Sequence, residues 1–572
     1  MFQTRGESVS KVTSFLRQAL LLALPISVTC LYPLITLAAA NRLEIPIDVM
    51  LVPALLAVLL ALAIGTALAF IRKPGVAQFA SIVLSALILF TFAFRDLVVG
   101  PAVILAYFFE SARAETVGTY LWFGLALIGI VSAILMRRLI QRAFGALTAV
   151  SIALVLIPLL TTPWKDAIKT ANAAGYMQNI SSGNTNDVPV HTLDDAKSLL
   201  AKRPSSNTET ALQQLPDLQI VILDAYGRDD VIQSYYGYDN QPFLSALRSK
   251  GFSVATRSHA NYTQTVLSVA AMLNFKPVEQ LKRAKDVDLA GVLTHTVDNA
   301  ILWQTMRKVG YKIISVPSGT NLTAMPSADL TFASTANIVM SYRVETALRL
   351  LIERTPLSLL SLVDESNVRT HRQQLRDTFR FWAMSTELAE PKATFVHLLA
   401  PHPPFVFDEN GGPVQPSGRT FTLLDGKNLV EQIGKDKYRA AYVAQLKAIN
   451  AKVLSTISTI DAKPHRDTIT VIVGDHGPRM NLDWASSKGT DMDEVKGTLM
   501  AVRVPERYKA SIGDIDKCSP LILLHRIATK IYGAQIPPVD DFSYYSTLNE
   551  PFTFVPMTNP TGRKDDPAVK QP

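Results

Sequence analysis

The sequence predicts two parts of different physical character. An N-terminal bundle of five transmembrane helices comes first, then an α/β domain with a mostly parallel central sheet and helices on both faces. Three observations predict this. Apolar residues concentrate near the N-terminus, in five stretches long enough to span a bilayer. From Asp217 onward, short β-branched runs alternate with helical patterns. Three of those runs end in polar clusters rich in aspartate or histidine, at the carboxyl ends where open α/β sheets place ligands.

The apolar stretches cover 19–40, 49–71, 77–94, 117–136 and 143–161. A cleavable signal peptide would stop after one, so residues 1–164 read as a membrane domain. The loops orient it. Arg5, Lys11 and Arg17 precede the first stretch, Arg72 and Lys73 follow the second, and Arg137, Arg138 and Arg142 follow the fourth. The opposite loops carry Arg42, Arg95 and Arg113 among Glu44, Asp48, Asp96, Glu110 and Glu115. The positive-inside rule then puts the N-terminus in the cytoplasm and everything after Thr161 outside. Segment 97–109 is apolar but short and charge-flanked, so it reads as interfacial or re-entrant; as a sixth span it would reverse the topology. The spans hold almost no ionisable residue at mid-depth, which argues against a transporter and for a membrane anchor.

Residues 165–216 form a connector, polar around Ser181-Ser-Gly-Asn-Thr-Asn, with a short helix near 193–201. The α/β domain covers 217–559, with strand-like runs at 218–223, 252–256, 312–316, 394–398, 468–473 and 498–504. A helix is expected over 519–532, with Cys518 as a buried apolar residue. Residues 560–572 are polar and Pro-containing, and read as a disordered tail.

Composition narrows the function. Lysine plus arginine outnumber aspartate plus glutamate by 56 to 48 over 572 residues, giving a net charge of +8. No basic run is dense enough for nucleic acid; an anionic membrane surface or substrate accounts for the excess. The two cysteines, Cys30 and Cys518, support neither a disulfide framework nor a thiolate metal site.

The chemistry-bearing segments are Leu-Asp224-Ala-Tyr-Gly-Arg, the helix start at Thr265, His397-Leu-Leu-Ala-Pro-His402-Pro-Pro-Phe and Gly474-Asp475-His476-Gly477. A threonine hydroxyl is a poor nucleophile unless a base or metal activates it. Asp224, Asp475 and His476 supply two carboxylates and an imidazole, a set suited to Zn²⁺ or Mn²⁺, with the Thr265 hydroxyl as fourth ligand. Amides at the helix start would stabilise an anionic phosphoryl or sulfuryl group. His402 is placed to hydrogen-bond that group or to protonate the leaving oxygen, and Arg479 to pair with a substrate anion.

Each piece alone has a plainer reading. Asp224 would be a turn or cap residue, Thr265 an N-cap, and Asp475-His476-Gly477 a β-turn. His397 is expected within its strand, facing the core. Arg228, Asp229 and Asp230 read as a solvated helix start, and Asn261 and Ser268 as braces around Thr265. Trp164, Trp303 and Trp484 fit a membrane interface, the approach to the site, or the core. The joint presence of the four segments is what makes an active site.

Their order, Asp224, then Gln264-Thr265-x-x-Ser268, then His397-x4-His402-x-Pro-Phe405, then Gly474-Asp475-His476-Gly477, resembles the sulfatase-like branch of the alkaline phosphatase superfamily. More narrowly it resembles membrane phosphoethanolamine transferases and lipoteichoic-acid-synthase-type phosphoglycerol transferases, which place five spans before an extracytoplasmic catalytic domain. The resemblance implies a metal site at Asp224, Thr265, Asp475 and His476, nucleophilic Thr265 and substrate-side His402. It also implies two-step transfer of a phospholipid headgroup phosphate through a phospho-threonine. The chain departs from the phosphoethanolamine branch in three places. Ala271 stands where a cysteine is usual, no histidine follows Asp475-His476-Gly477 until His525, and the first motif carries Asp224 rather than glutamate. The donor headgroup therefore stays open between phosphoglycerol and phosphoethanolamine. The Cys/Ser-x-Pro-x-Arg context of a formylglycine sulfatase is absent.

Three functions follow as expectations. The first is a plasma (inner) membrane phosphotransferase with a periplasmic domain, a phospholipid donor, an envelope lipid or glycan acceptor and no nucleic-acid partner. The second is a periplasmic hydrolase of phosphate or sulfate esters. The third is a non-catalytic scaffold, against which the intact metal set speaks.

Overall fold

The computed structural model describes residues 2–40, 47–94, 111–162, 190–201, 215–281, 289–319, 323–334, 351–352, 354–356, 362–416, 426–547 and 552–557. Trp164, segment 97–109 and the 560–572 tail lie outside them. The chain divides into two compact units: Met1–Tyr176 with Met340–Val363, and Met177–Val339 with Asp364–Pro572.

In the first unit, four helical segments are long and apolar enough to cross a membrane: Val12–Ala39, Met50–Ala69, Pro74–Phe92 and Phe144–Thr161. The stretch expected at 117–136 is helical within Ser111–Leu135, but its described apolar part, Thr119–Leu135, is shorter. Among the described residues the span count is therefore four. Leu51, Leu55, Leu59, Leu127, Ile134 and Leu160 stand exposed on these helices, an arrangement suited to lipid rather than water. Where helices touch, the residues are small. A Cβ on Gly65 would lie 2.6 Å from the Ala23 Cβ, and Ser81 Oγ donates to the Leu22 carbonyl at 2.7 Å. Leu351 packs in the same unit against Leu34, Leu37, Ala38 and Met50.

The second unit is built on a seven-stranded sheet of β1 (Asp217–Leu223), β2 (Ser253–Val254), β3 (Lys312–Val316), β4 (Leu330–Thr331), β5 (Lys392–Leu398), β6 (Thr468–Val473) and β7 (Met500–Arg503), in the order β2-β7-β6-β1-β5-β3-β4. Pairings from β6 through β1, β5 and β3 to β4 are parallel, whereas β7 runs antiparallel to both β6 and β2. The sheet is mixed. Its core follows from the period of two along each strand. Leu218, Ile220 and Ile222 of β1 face one cluster, with Leu267 and Trp303. Val221 and Leu223 face the other, with Trp382, Tyr442 and Ile449. Both faces are thus covered, which is why β1 is apolar almost throughout. Each such buried side chain contributes about 1.5–3 kcal/mol.

Register does the positioning. Ile222 of β1 lies opposite His397 of β5 on one side and Val473 of β6 on the other. Because these strands are parallel and end level, the residues after them emerge at one edge of the sheet. The short helix Leu193–Ala201 lies where the sequence places it. Cys518 is buried just ahead of the helix Pro520–Lys530.

Candidate active site

Asp224 directly follows β1. Its backbone N–H donates to the Leu398 carbonyl at 3.0 Å, and its own carbonyl accepts the His402 N–H at 3.0 Å. This ties the end of β1 to the chain leaving β5. The next residue, Ala225, has φ 62°, in the left-handed region that non-glycine residues seldom adopt. That turn aims the Ala225 N–H at Asp475 Oδ1, 3.2 Å away.

Thr265 arrives by a different route. The chain after β2 is pinned along residues 496–500: Ala255 N–H donates to the Met500 carbonyl, Ala260 N–H to that of Lys496, and Ser258 Oγ to that of Thr498. Asn261 Nδ2 donates to the Phe542 carbonyl, and Ser268 Oγ bonds both backbone groups of Tyr262. The braces expected at Asn261 and Ser268 are in place. Thr265 is then the first residue of the buried helix Thr265–Asn274.

The structure brings Asp224, Thr265, Asp475 and His476 together. Thr265 Oγ1 lies 3.3 Å from His476 Nε2 and 3.5 Å from Asp224 Oδ2. One ligand atom each from Asp224, Asp475 and His476 falls within 4.8 Å of the others. His476 Nδ1 is 2.8 Å from the Gly477 carbonyl, which can only accept; Nδ1 therefore holds the proton and Nε2 presents its lone pair inward. Asp224 Oδ1 and Asp475 Oδ2 each lie 3.3 Å from that Nε2, yet neither receives a hydrogen bond. Two buried carboxylate oxygens without donors are costly unless a cation meets them. The donor set fits a divalent metal.

His402 is buried in the loop after β5, held by Gln445, whose Nε2 donates to the His402 carbonyl at 3.0 Å. Its Nδ1 contacts the Pro403 carbonyl. Burial alone would raise the Asp224 carboxyl; the charge of His402 and the hydrogen bond from His397 oppose it and hold Asp224 well below its usual range. Arg479 is also buried. Its Nη2 donates to the Thr263 carbonyl at 2.5 Å, and its guanidinium lies 4.8 Å from the Trp484 ring. The structure thus sets it beside the loop that leads to Thr265. Trp303 is a core residue.

Sequence reasoning missed two participants. His397 is buried in β5, as expected, but its ring also reaches the site. Nε2 lies 3.2 Å from Asp224 Oδ2, and Nδ1 lies 2.6 Å from Thr323 Oγ1. Its place one residue from the carboxyl end of β5 was the available signal. Ala225 carried none. Arg228 stands at the start of the helix Asp229–Tyr236 and pairs with Asp230 at 2.6 Å, but it is less solvated than expected, its Nη1 donating to the Ser258 carbonyl at 2.6 Å.

Residues 216–497, which contain all of these site residues, match the protein-family model for sulfatases. The match covers just under half of the chain and marks residues 216–497 as a sulfatase-like domain, an enzyme domain of the alkaline phosphatase superfamily. No curated protein sequence matches the chain. Among solved structures, the sulfatase-like domain is similar to the C-terminal periplasmic domain of EcEptC from Escherichia coli in complex with Zn. Identity is 17%, covering 63% of this chain and 98% of that one, with a TM-score of 0.39. The integral membrane lipooligosaccharide phosphoethanolamine transferase A from Neisseria meningitidis matches at 10% identity, over 90% of this chain and 95% of that one, TM-score 0.35. The phosphonate monoester hydrolase of Agrobacterium radiobacter matches at 14% identity, over 58% and 80%, TM-score 0.34. At such low scores these are likenesses of outline alone, and the site's chemistry stands on its own residues.

Proposed function

We propose that the protein is a membrane-anchored, metal-dependent phosphotransferase that moves a phospholipid headgroup phosphate, phosphoglycerol or phosphoethanolamine, to an envelope glycan or lipid. The observation that carries this reading is the Thr265 hydroxyl at a helix N-terminus, within 3.5 Å of both Asp224 and His476. Asp224, Asp475, His476 and Thr265 would hold the ion, Zn²⁺ or Mn²⁺. When bound, it supplies Lewis-acid activation of the threonine hydroxyl and charge neutralisation of the phosphoryl group.

The chain's own residues do the rest. Thr265 Oγ gives up its proton to solvent and attacks phosphorus, the P–O bond to diacylglycerol breaks, and a phospho-threonine forms. Free N–H groups in the first turn of the helix Thr265–Asn274 face the phosphoryl oxygens. His402 gives a proton to the departing diacylglycerol oxygen. An acceptor hydroxyl then attacks the phospho-threonine, surrendering its proton to His402, and Thr265 leaves to take back a proton. Arg479 adds positive charge beside the nucleophile loop. The placement on the extracytoplasmic side of the plasma (inner) membrane takes the helix Ser111–Leu135 as a fifth crossing beside the four longer apolar helices, with the positive-inside charges fixing the N-terminus in the cytoplasm. In domain terms, 1–164 anchors, 165–216 connects, 217–559 reacts and 560–572 trails.

A second reading, a periplasmic hydrolase of phosphate or sulfate esters, has the sulfatase family match in its favour. The nucleophile separates it from formylglycine sulfatases, because Thr265 cannot mature to formylglycine. Incubation with phosphatidylglycerol or phosphatidylethanolamine vesicles distinguishes the two: transfer leaves a headgroup adduct on an acceptor, hydrolysis a free headgroup phosphate.

A further inference from the structure

Glu494, on the short helix Met492–Lys496, is fully buried and holds four donors. Its Oε1 accepts from the Tyr236 hydroxyl at 2.6 Å and from the Met480 N–H at 3.0 Å. Its Oε2 accepts from the backbone N–H and from Nδ2 of Asn481, both at 2.8 Å. A carboxylate engaged this fully fixes the groups around it, because losing any one bond strands a buried polar atom.

What it fixes is informative. Met480 and Asn481 continue the loop that begins at Asp475 and His476. Neighbouring Val495 accepts the Gly477 N–H at 2.8 Å. A Cβ on Gly477 would meet the Glu494 carbonyl oxygen at 2.1 Å, so the loop is seated directly on this helix. Between Gly477 and Met480 stands Arg479, whose Nη2 holds the Thr263 carbonyl two residues ahead of Thr265. On the other side, the Tyr236 ring lies 4.4 Å from that of Tyr442. The Tyr442 hydroxyl donates to the Ala225 carbonyl at 2.9 Å, next to Asp224. One buried side chain thus stands behind the loops of Asp224, Thr265 and Asp475–His476 while touching none of the four.

We propose that Glu494 is a positioning residue: it sets the loop 475–481 and, through Arg479, the approach of Thr265 to the metal ligands. This rests on the reading of Thr265 as nucleophile. A plain stabilising role would lower the melting temperature and loosen the domain evenly. A positioning role loosens two separated segments and spares the rest.

The test uses the full-length protein in lipid nanodiscs, comparing wild type, Glu494→Gln and Arg479→Ala by hydrogen-exchange mass spectrometry. Kinetics of headgroup transfer from phosphatidylglycerol or phosphatidylethanolamine vesicles are measured alongside. In Glu494→Gln, exchange rises about tenfold or more in peptides spanning both 477–482 and 260–267, and kcat falls about a hundredfold while KM stays within about twofold. In Arg479→Ala, only the 260–267 peptide loosens. Faster exchange confined to 477–482 in Glu494→Gln, or spread evenly over the domain, overturns the proposal. Should Glu494→Gln not fold, Tyr236→Phe removes one donor and keeps the ring, and the same two peptides decide. If wild type transfers no headgroup, the functional reading fails, while the exchange pattern still answers the positioning question.

Discussion

Thr265 Oγ1 lies 3.3 Å from Nε2 of His476, a residue 211 positions further along the chain. The contact joins the start of a buried helix to the end of a central strand, and the proposed chemistry depends on it. If Thr265 is the nucleophile, Thr265→Ala abolishes headgroup transfer and ester cleavage alike, and Thr265→Ser retains a measurable fraction. Because Thr265→Ala deletes a small group at the end of a helix, unfolding free energy changes by about 1 kcal/mol or less. Activity assays with parallel chemical denaturation check both parts.

The hydrogen bond from His397 to Asp224 Oδ2 orients the carboxylate proposed as a metal ligand, and Thr323 in turn orients the imidazole. Removing such an outer partner weakens metal binding by about ten- to a hundredfold. His397→Ala should show that loss in a Zn²⁺ competition titration, and Thr323→Val a smaller one. Unchanged affinity in both would return His397 to a purely structural role.

Ala225 in the left-handed region makes a prediction of backbone strain. A β-branched side chain there is worse by about 1–2 kcal/mol, so Ala225→Val lowers stability by at least that amount and misplaces the amide that holds Asp475. Ala225→Gly relieves the strain but loosens the unfolded chain, leaving stability near wild type. Denaturant melts of the two variants give the comparison.

Burial pushes the Glu494 carboxyl up to about 7 from its ordinary 4.5, against the hydrogen bonds from Tyr236, Asn481 and Met480 that favour its charged form. A folded-state value above the unfolded one means that the native protein binds the extra proton between those limits. Stability from this group is complete below the unfolded value and declines as pH rises toward about 7, with a slope of about 1.4 kcal/mol per pH unit at most. The slope should disappear from the stability–pH curve of Glu494→Gln, whatever that variant's absolute stability.

Much of this was legible in the sequence where a pattern was long enough to repeat. The runs 312–316 and 468–473 coincide with β3 and β6, because alternating β-branched residues between turn residues leave little choice. The four site segments were also visible, since each mixes metal-type side chains with a strand or helix end. What stayed hidden depends on partners distant in the chain. β4, two residues long, is made by pairing and carries no period, and β2 keeps only two residues of the run expected at 252–256. The antiparallel run of β7 beside β6 makes the sheet mixed, which no local pattern reports. His397 could be assigned to a strand but not to a neighbour, and Ala225 lacks the glycine or asparagine that usually marks a positive φ. Glu494 sits in a charged stretch, Asp491-Met-Asp-Glu-Val-Lys, which in isolation looks like a solvated helix start.

The central claim is a covalent intermediate on Thr265. The direct measurement is peptide mass spectrometry of the full-length protein after incubation with mixed phospholipid vesicles and Zn²⁺ or Mn²⁺, quenched before acceptor is added. A phosphoglycerol or phosphoethanolamine adduct on Thr265, lost on addition of acceptor and absent from Asp475→Asn, is the predicted result, and the adduct's mass names the donor. Turnover of the lipids with Thr265 unmodified at every time point, or an adduct on a different residue, would contradict the account.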